Sequence, residues 1–212
     1  RISAQPQTKA YSMLAPRNRI NTPASRGPIL APTPKVTSNM AVSDTRRSAS
    51  TWSLASATAN AARVLSAARE TGDKVIHVRH EFGSDDAPFF APGSAGAQLH
   101  PKVLNRPEEP VVLKHKVNAF LGTDLEHTLD RHGVEALTIV GSMSHMCIDA
   151  ATRAAADLGY EVTVAHDACA TLPLTFDGRQ VAAAQVHDSA MAALAFAYAK
   201  VVKTDDLLPP KA

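Results

Sequence analysis

Short runs of branched aliphatic residues alternate along this chain with Ala-rich stretches at helical period. That alternation constrains its fold more than any other feature. Lys74-Val-Ile-His-Val-Arg79, Val111-Val-Leu-Lys114, Ala136–Val140 and Glu161–Ala165 each read as a buried strand. A fifth, Ala199–Val202, reads as a final strand, and Asn39-Met-Ala-Val-Ser-Asp44 as a short first one. Between them lie helical stretches. Ala55–Glu70 carries the stripe Ala61, Val64, Leu65 and Ala68, and Thr71-Gly72-Asp73 stops it. Gly122-Thr-Asp opens a helix through His132, with Thr123 as N-cap, Glu126 closing a capping box and Gly133 as the stop. Cys147–Leu158 and Val181–Tyr198 complete the set, the last preceded by a turn at Asp177-Gly178.

Such alternation predicts a three-layer α/β domain, a mostly parallel sheet with helices on both faces in a Rossmann-like topology. Ligands of such sheets bind beyond the carboxyl ends of the strands. That rim would carry Asp44, His80, Lys114 and the Gly141–Cys147 turn.

Composition narrows the function classes. No apolar run is long enough to span a bilayer. Two cysteines make no disulfide framework, so a reducing, cytoplasmic setting is expected. Residues 1–47 hold eight basic side chains and one acid, whereas the remainder carries fourteen bases and nineteen acids. An acidic body argues against nucleic-acid binding. The Pro-, Ser- and Arg-rich residues 1–38 read as a poorly ordered arm, either a targeting segment or a flexible extension foreign to the domain. The domain itself is placed at 39–204, with a tail at 205–212. The region between the second and third strands, to about Pro110, is a long loop of the kind that often carries function.

Cys147 stands out chemically. It follows a strand and a Gly-led turn, at the first turn of a helix, where free N–H groups and a partial positive charge favour a thiolate. The alternative is an inert buried thiol. Cys169, after a strand, reads as packing. Lys114 and Lys116 both sit near a strand end. His80, Phe120 and His145 are candidates for lining a substrate pocket, together with Phe89 and Phe90; each also has a plain structural reading.

The stretches Lys114-His-Lys-Val-Asn-Ala-Phe120-Leu-Gly-Thr-Asp-Leu125 and Gly141-Ser-Met-Ser-His-Met-Cys147 resemble the isochorismatase-like cysteine hydrolases. Val75–His80 and Tyr160–Thr171 are similar to that family too, so the resemblance spans roughly residues 40–202. It implies an Asp-Lys-Cys triad, carried over to Asp44, Lys114 and Cys147. It also implies a cis bond at Ser142–Met143 and an oxyanion hole from the N–H groups of Met143 and Cys147. The first strand departs from the family pattern: Ser43 replaces an aliphatic residue and Arg46 stands at a Gln position. The implied activity is hydrolysis of a C–N bond in a small molecule through a Cys thioester. An isochorismatase-type vinyl ether hydrolase, or an impaired member acting as a binding protein, are the other readings. By the same resemblance the protein is a dimer or tetramer. No cofactor is expected. No metal is expected either, because strand alternation sends His77 and His80 to opposite faces.

Overall fold

A computed structural model describes residues 35–38, 53–84, 87 and 89–208. They belong to one compact unit, Pro32–Ala212. Strand β1 is Lys35–Ser38, β2 is Val75–His80, β3 is Val111–Lys114, β4 is Ala136–Ser142 and β5 is Glu161–Ala170. A small hairpin, β6 (Leu174–Phe176) and β7 (Arg179–Val181), turns at Asp177-Gly178. Strand β8 is Lys200–Val202. The six-stranded sheet has the order β3-β2-β1-β4-β5-β8, parallel throughout.

Beginning at β1, the chain winds outward through β2 and β3, then returns to the other side of β1 with β4. The order therefore reverses between β1 and β4, the place where open parallel sheets leave a crevice.

Among the described residues four α-helices cover the sheet: α1 (Leu54–Thr71), α2 (Leu125–Arg131), α3 (Asp149–Asp157) and α4 (Ala183–Ala197). Helix α1 buries the expected stripe, Ala61, Val64, Leu65 and Ala68, against Val75, Val140 and Ala165. On the other face Leu125, Leu129, Ile148, Ala155, Met191 and Leu194 pack over Ile76, Val78, Leu137, Ile139 and Val164. Adjacent strand residues such as Val75 and Ile76, or Ile139 and Val140, serve opposite cores, as the two-residue strand period requires. Burial on both faces is why these strands are continuously aliphatic.

Capping sets the limits of α1. Ser53 Oγ accepts from Ser56 N–H while Ser56 Oγ accepts from Ser53 N–H, and Gly72 closes the helix at φ +75°.

Two expectations are corrected, and a third falls outside the described residues. The arm does not extend to residue 38, because Lys35–Ser38 pairs with both β2 and β4 at the centre of the sheet. The proposed strand Asn39–Asp44 lies outside the described residues. Thr123 is not the N-cap of α2: the helix starts one residue later, after Asp124, and no Thr123–Glu126 capping box forms. Thr123 Oγ1 instead donates to Ala119 O, 2.6 Å away, and accepts from Leu125 N–H, so its hydroxyl serves a local turn.

Candidate active site

Strand β4 ends in an irregular segment. Its register with β5 shifts between Ile139 and Gly141, and Gly141 takes φ +136°, a conformation that side-chain-bearing residues rarely adopt. The next peptide bond, Ser142–Met143, is cis. Residues Ser144–Ile148 then form one wide turn, in which Met143 O accepts from the N–H groups of Met146 and Ile148, to either side of Cys147. Regular α-helix begins only at Asp149. Cys147 therefore lies in the wide turn that leads α3, not in the first turn of the α-helix itself.

Two strands away, His80 and Lys114 are register partners across β2 and β3. Paired residues of neighbouring strands share a face, so both side chains rise toward the Cys147 turn. Lys114 Nζ stands 3.1 Å from Cys147 Sγ and 2.8 Å from His80 Nδ1. It also donates to Lys116 O at 2.8 Å and Val117 O at 3.1 Å. His80 Nδ1 is 3.9 Å from the sulfur. Lys114 is only 1% exposed and Cys147 8%. Lys116, the competing lysine, is exposed and contributes its carbonyl alone.

The electrostatics follow from this burial. Desolvation lowers the Lys114 pKa, opposed by the charge of, and hydrogen bond to, Cys147. Desolvation, with the charges of Lys114 and His115, brings His80 down to about 4, so its imidazole is neutral at physiological pH. A cation in contact with sulfur favours the thiolate. Cys169 has no such neighbour: it is fully buried within β5, its Sγ donates to Ala165 O, and burial pushes its thiol up to about 12. Strand β5 runs on to Ala170, so Cys169 lies inside it, not after it.

Phe120 is half-buried. With Ala119, Val78, Leu137, Ile139 and Ala151 it lines a narrow apolar cavity that reaches Lys114 and Cys147. A second aromatic group comes from the long loop. Phe82 and Phe90 pack on the His80 ring, with centroids at 4.7 Å and 5.5 Å, and Phe89 meets Phe90 edge-on. The base of that loop is held by Glu81, which pairs with Arg79 and accepts from Gly93 N–H.

His145 is turned elsewhere. Its Nδ1 is 2.6 Å from Thr171 Oγ1, so it links the Cys147 turn to the segment after β5. Burial lowers its pKa, partly offset by Asp149. Asp44, the remaining member of the expected triad, lies outside the described residues.

Two buried polar contacts are not expected from the sequence. Ser144 Oγ lies 2.8 Å from His187 Nδ1, joining the Cys147 turn to α4. The signal was available, because His187 falls in register with the buried Ala190, Met191 and Leu194 of that helix. At the other end of β2, His77 Nε2 meets Glu109 Oε2 at 2.9 Å, and Glu109 also takes the Arg69 guanidinium fork and Arg106 N–H. His77 and His80 thus reach different partners at different ends of the strand. No group of three or more metal-binding side chains occurs among the described residues.

The chain is similar to known proteins over most of its length. Residues 39–206 match the Isochorismatase domain. An isochorismatase family protein of Bacillus subtilis is 44% identical over 149 residues, covering 70% of this chain and 83% of that protein. Streptothricin hydrolase of Streptomyces noursei is 39% identical over 110 residues, which cover 51% of this chain and 38% of that enzyme. The crystal structure of an isochorismatase from Pseudomonas putida superposes with a TM-score of 0.75 at 34% identity, over 84% of this chain and 90% of that one. The family match spans most of the chain and the fold superposes on a solved relative, so the chain belongs to the isochorismatase family of hydrolases.

Proposed function

We propose that this hydrolase cleaves a C–N bond of a small amide through a thioester on Cys147. The observation that carries the reading is the 3.1 Å contact between the buried Lys114 ammonium and Cys147 Sγ. Asp44 would accept the thiol proton, and Lys114 would hold the resulting thiolate. Sulfur attacks the carbonyl carbon, and the displaced π electrons pass to oxygen. The N–H groups of Met143 and Cys147 would receive that oxyanion. On collapse the C–N bond breaks, and the amine leaves with the proton held by Asp44. Water, deprotonated by Asp44, then opens the thioester and regenerates the thiolate and the acid product.

Phe120 and the Phe82–Phe89–Phe90 group would supply apolar walls, with His145 set toward the Thr171 side. A vinyl ether hydrolysis of the isochorismatase type has no need of this nucleophile, so Cys147 favours the amide reading. The reading keeps a small-molecule substrate, no cofactor or nucleic-acid partner, and a cytoplasmic setting. No helix among the described residues is long and apolar enough to cross a membrane. Exposed Phe196 and Phe176 are compatible with assembly into a dimer or tetramer.

The test is a turnover screen of nicotinamide, carbamoyl compounds, biuret, simple nitriles and isochorismate. Intact-mass detection of an acyl adduct after acid quench accompanies it. Amide turnover with an adduct on Cys147, both lost in Cys147→Ala and turnover lost in Asp44→Asn, is the expected result. Turnover that survives Cys147→Ala would refute the thioester route. Hydrolysis of isochorismate alone would favour the vinyl ether reading. A protein that turns over nothing and binds one of these compounds would be an impaired member.

A further inference from the structure

The Lys114 ammonium has three protons but four acceptors within reach. Two are carbonyls of the turn just after β3, one is the sulfur, and one is the His80 ring contributed by the neighbouring strand. We propose that His80 is a positioning residue for the Lys114–Cys147 pair, its neutral imidazole accepting from Lys114 through Nδ1 and holding the ammonium against the sulfur. The inference rests on Cys147 being the nucleophile.

Geometry supplies the argument. His80 and Lys114 are register partners, so their separation is fixed by the β2–β3 ladder and not by side-chain chance. Phe82 and Phe90 pack on the ring and prevent it from swinging away. The ring is 3% exposed, so water does not compete for Nδ1. Lys114 and His115 are the groups that act on it electrostatically, and His115 Nδ1 lies 2.9 Å from Glu81 O. Burial first, and then these neighbours, keep the ring unprotonated and its lone pair available. An imidazolium would instead set two cations 2.8 Å apart. Acceptance at Nδ1 puts the ring proton on Nε2, a buried atom with no hydrogen-bond partner among the described residues. Remove the ring, and the ammonium loses the acceptor that fixes its position, so the two turn carbonyls draw it away from the sulfur.

The experiment is the pH dependence of iodoacetamide alkylation at Cys147, followed by peptide mass spectrometry, and it needs no substrate. In His80→Phe the midpoint should rise by about one pH unit, which is about tenfold slower alkylation below the midpoint. His80→Asn keeps an amide oxygen near the Nδ1 position and should shift by less than half as much. With Lys114→Met already present, adding His80→Phe should produce no further shift, because the two act as one unit. An unmoved midpoint in His80→Phe, or the same shift with and without Lys114, would overturn the proposal. Should His80→Phe fail to fold, the same comparison with His80→Asn decides. A parent protein whose Cys147 reacts no faster than Cys169 would refute the nucleophile reading itself. A reactive parent with indifferent His80 variants would refute only the positioning role.

Discussion

Lys114 Nζ and Cys147 Sγ face each other at 3.1 Å in a setting where neither is more than 8% exposed. The lysine comes from the edge strand β3 and the cysteine from the turn beyond β4, with β2 and β1 between them in the sheet. A buried ammonium is costly unless its protons find acceptors. Here the acceptors are the His80 ring, two carbonyls and the sulfur, so the cost of burial is offset by four contacts.

The two cysteines should part sharply in reactivity. At neutral pH, iodoacetamide should label Cys147 stoichiometrically and leave Cys169 unmodified in the folded protein. Burial without a cation holds the Cys169 thiol near 12, whereas Cys147 lies against Lys114. Peptide mapping after timed labelling reads both sites at once. Equal labelling of the two would contradict the assignment.

Replacing the lysine tests the charge directly. Lys114→Met fills a similar volume and removes the cation, so the alkylation midpoint of Cys147 should move up toward or beyond that of a free cysteine, about 8.5. Turnover should fall by about a hundredfold or more. The variant also leaves the Lys116 and Val117 carbonyls without that donor, costing about 1–3 kcal/mol of stability. Urea denaturation separates this loss from the catalytic one.

Acid sensitivity is expected at the opposite end of β2. Burial would raise the Glu109 pKa, but the bonds from Arg69, Arg106 N–H and His77 outweigh it and hold the carboxyl at about 2, below its ordinary 4.5. A depressed carboxyl contributes stability that is complete above about pH 4.5 and is lost as pH falls toward 2. Glu109→Gln should cost on the order of 3 kcal/mol at pH 7, because it leaves Arg69 without its carboxylate partner. The gap between parent and variant should narrow between pH 4.5 and 3, as followed by urea midpoints. A gap constant with pH would count against it.

The Ser144–His187 contact should matter for the turn more than for the fold. Ser144→Ala removes one buried bond and should cost about 1–3 kcal/mol. It also frees the turn from α4, so Cys147 alkylation should change in rate while Cys169 stays protected. His187→Phe, which keeps the bulk but not the bond, should reproduce that rate change. Thermal melts and timed labelling distinguish the two effects.

The sequence by itself determined the layers. Aliphatic runs with Gly-stopped, Ala-rich helices between them dictate a doubly covered parallel sheet, since each strand must bury both faces. Strand β3 is found as read, and β2 is displaced by one residue. Local pattern also singled out Cys147, because a thiol after a Gly-led turn is visible without neighbours, whereas the family resemblance was needed to prefer Lys114 over Lys116. What tertiary structure decided is which groups meet. His80 contacts Lys114 only because β2 and β3 pair in that register, a relation between residues thirty-four positions apart. Ser144 meets His187, and His77 meets Glu109, for the same reason: burial forces distant polar groups to satisfy one another. The first strand escaped the pattern because Lys35–Ser38 has too little apolar character to read as a strand and is placed by pairing on both edges. The wide turn at Ser144–Ile148 was not legible either, because its winding departs from the regular helix expected from Cys147 onward.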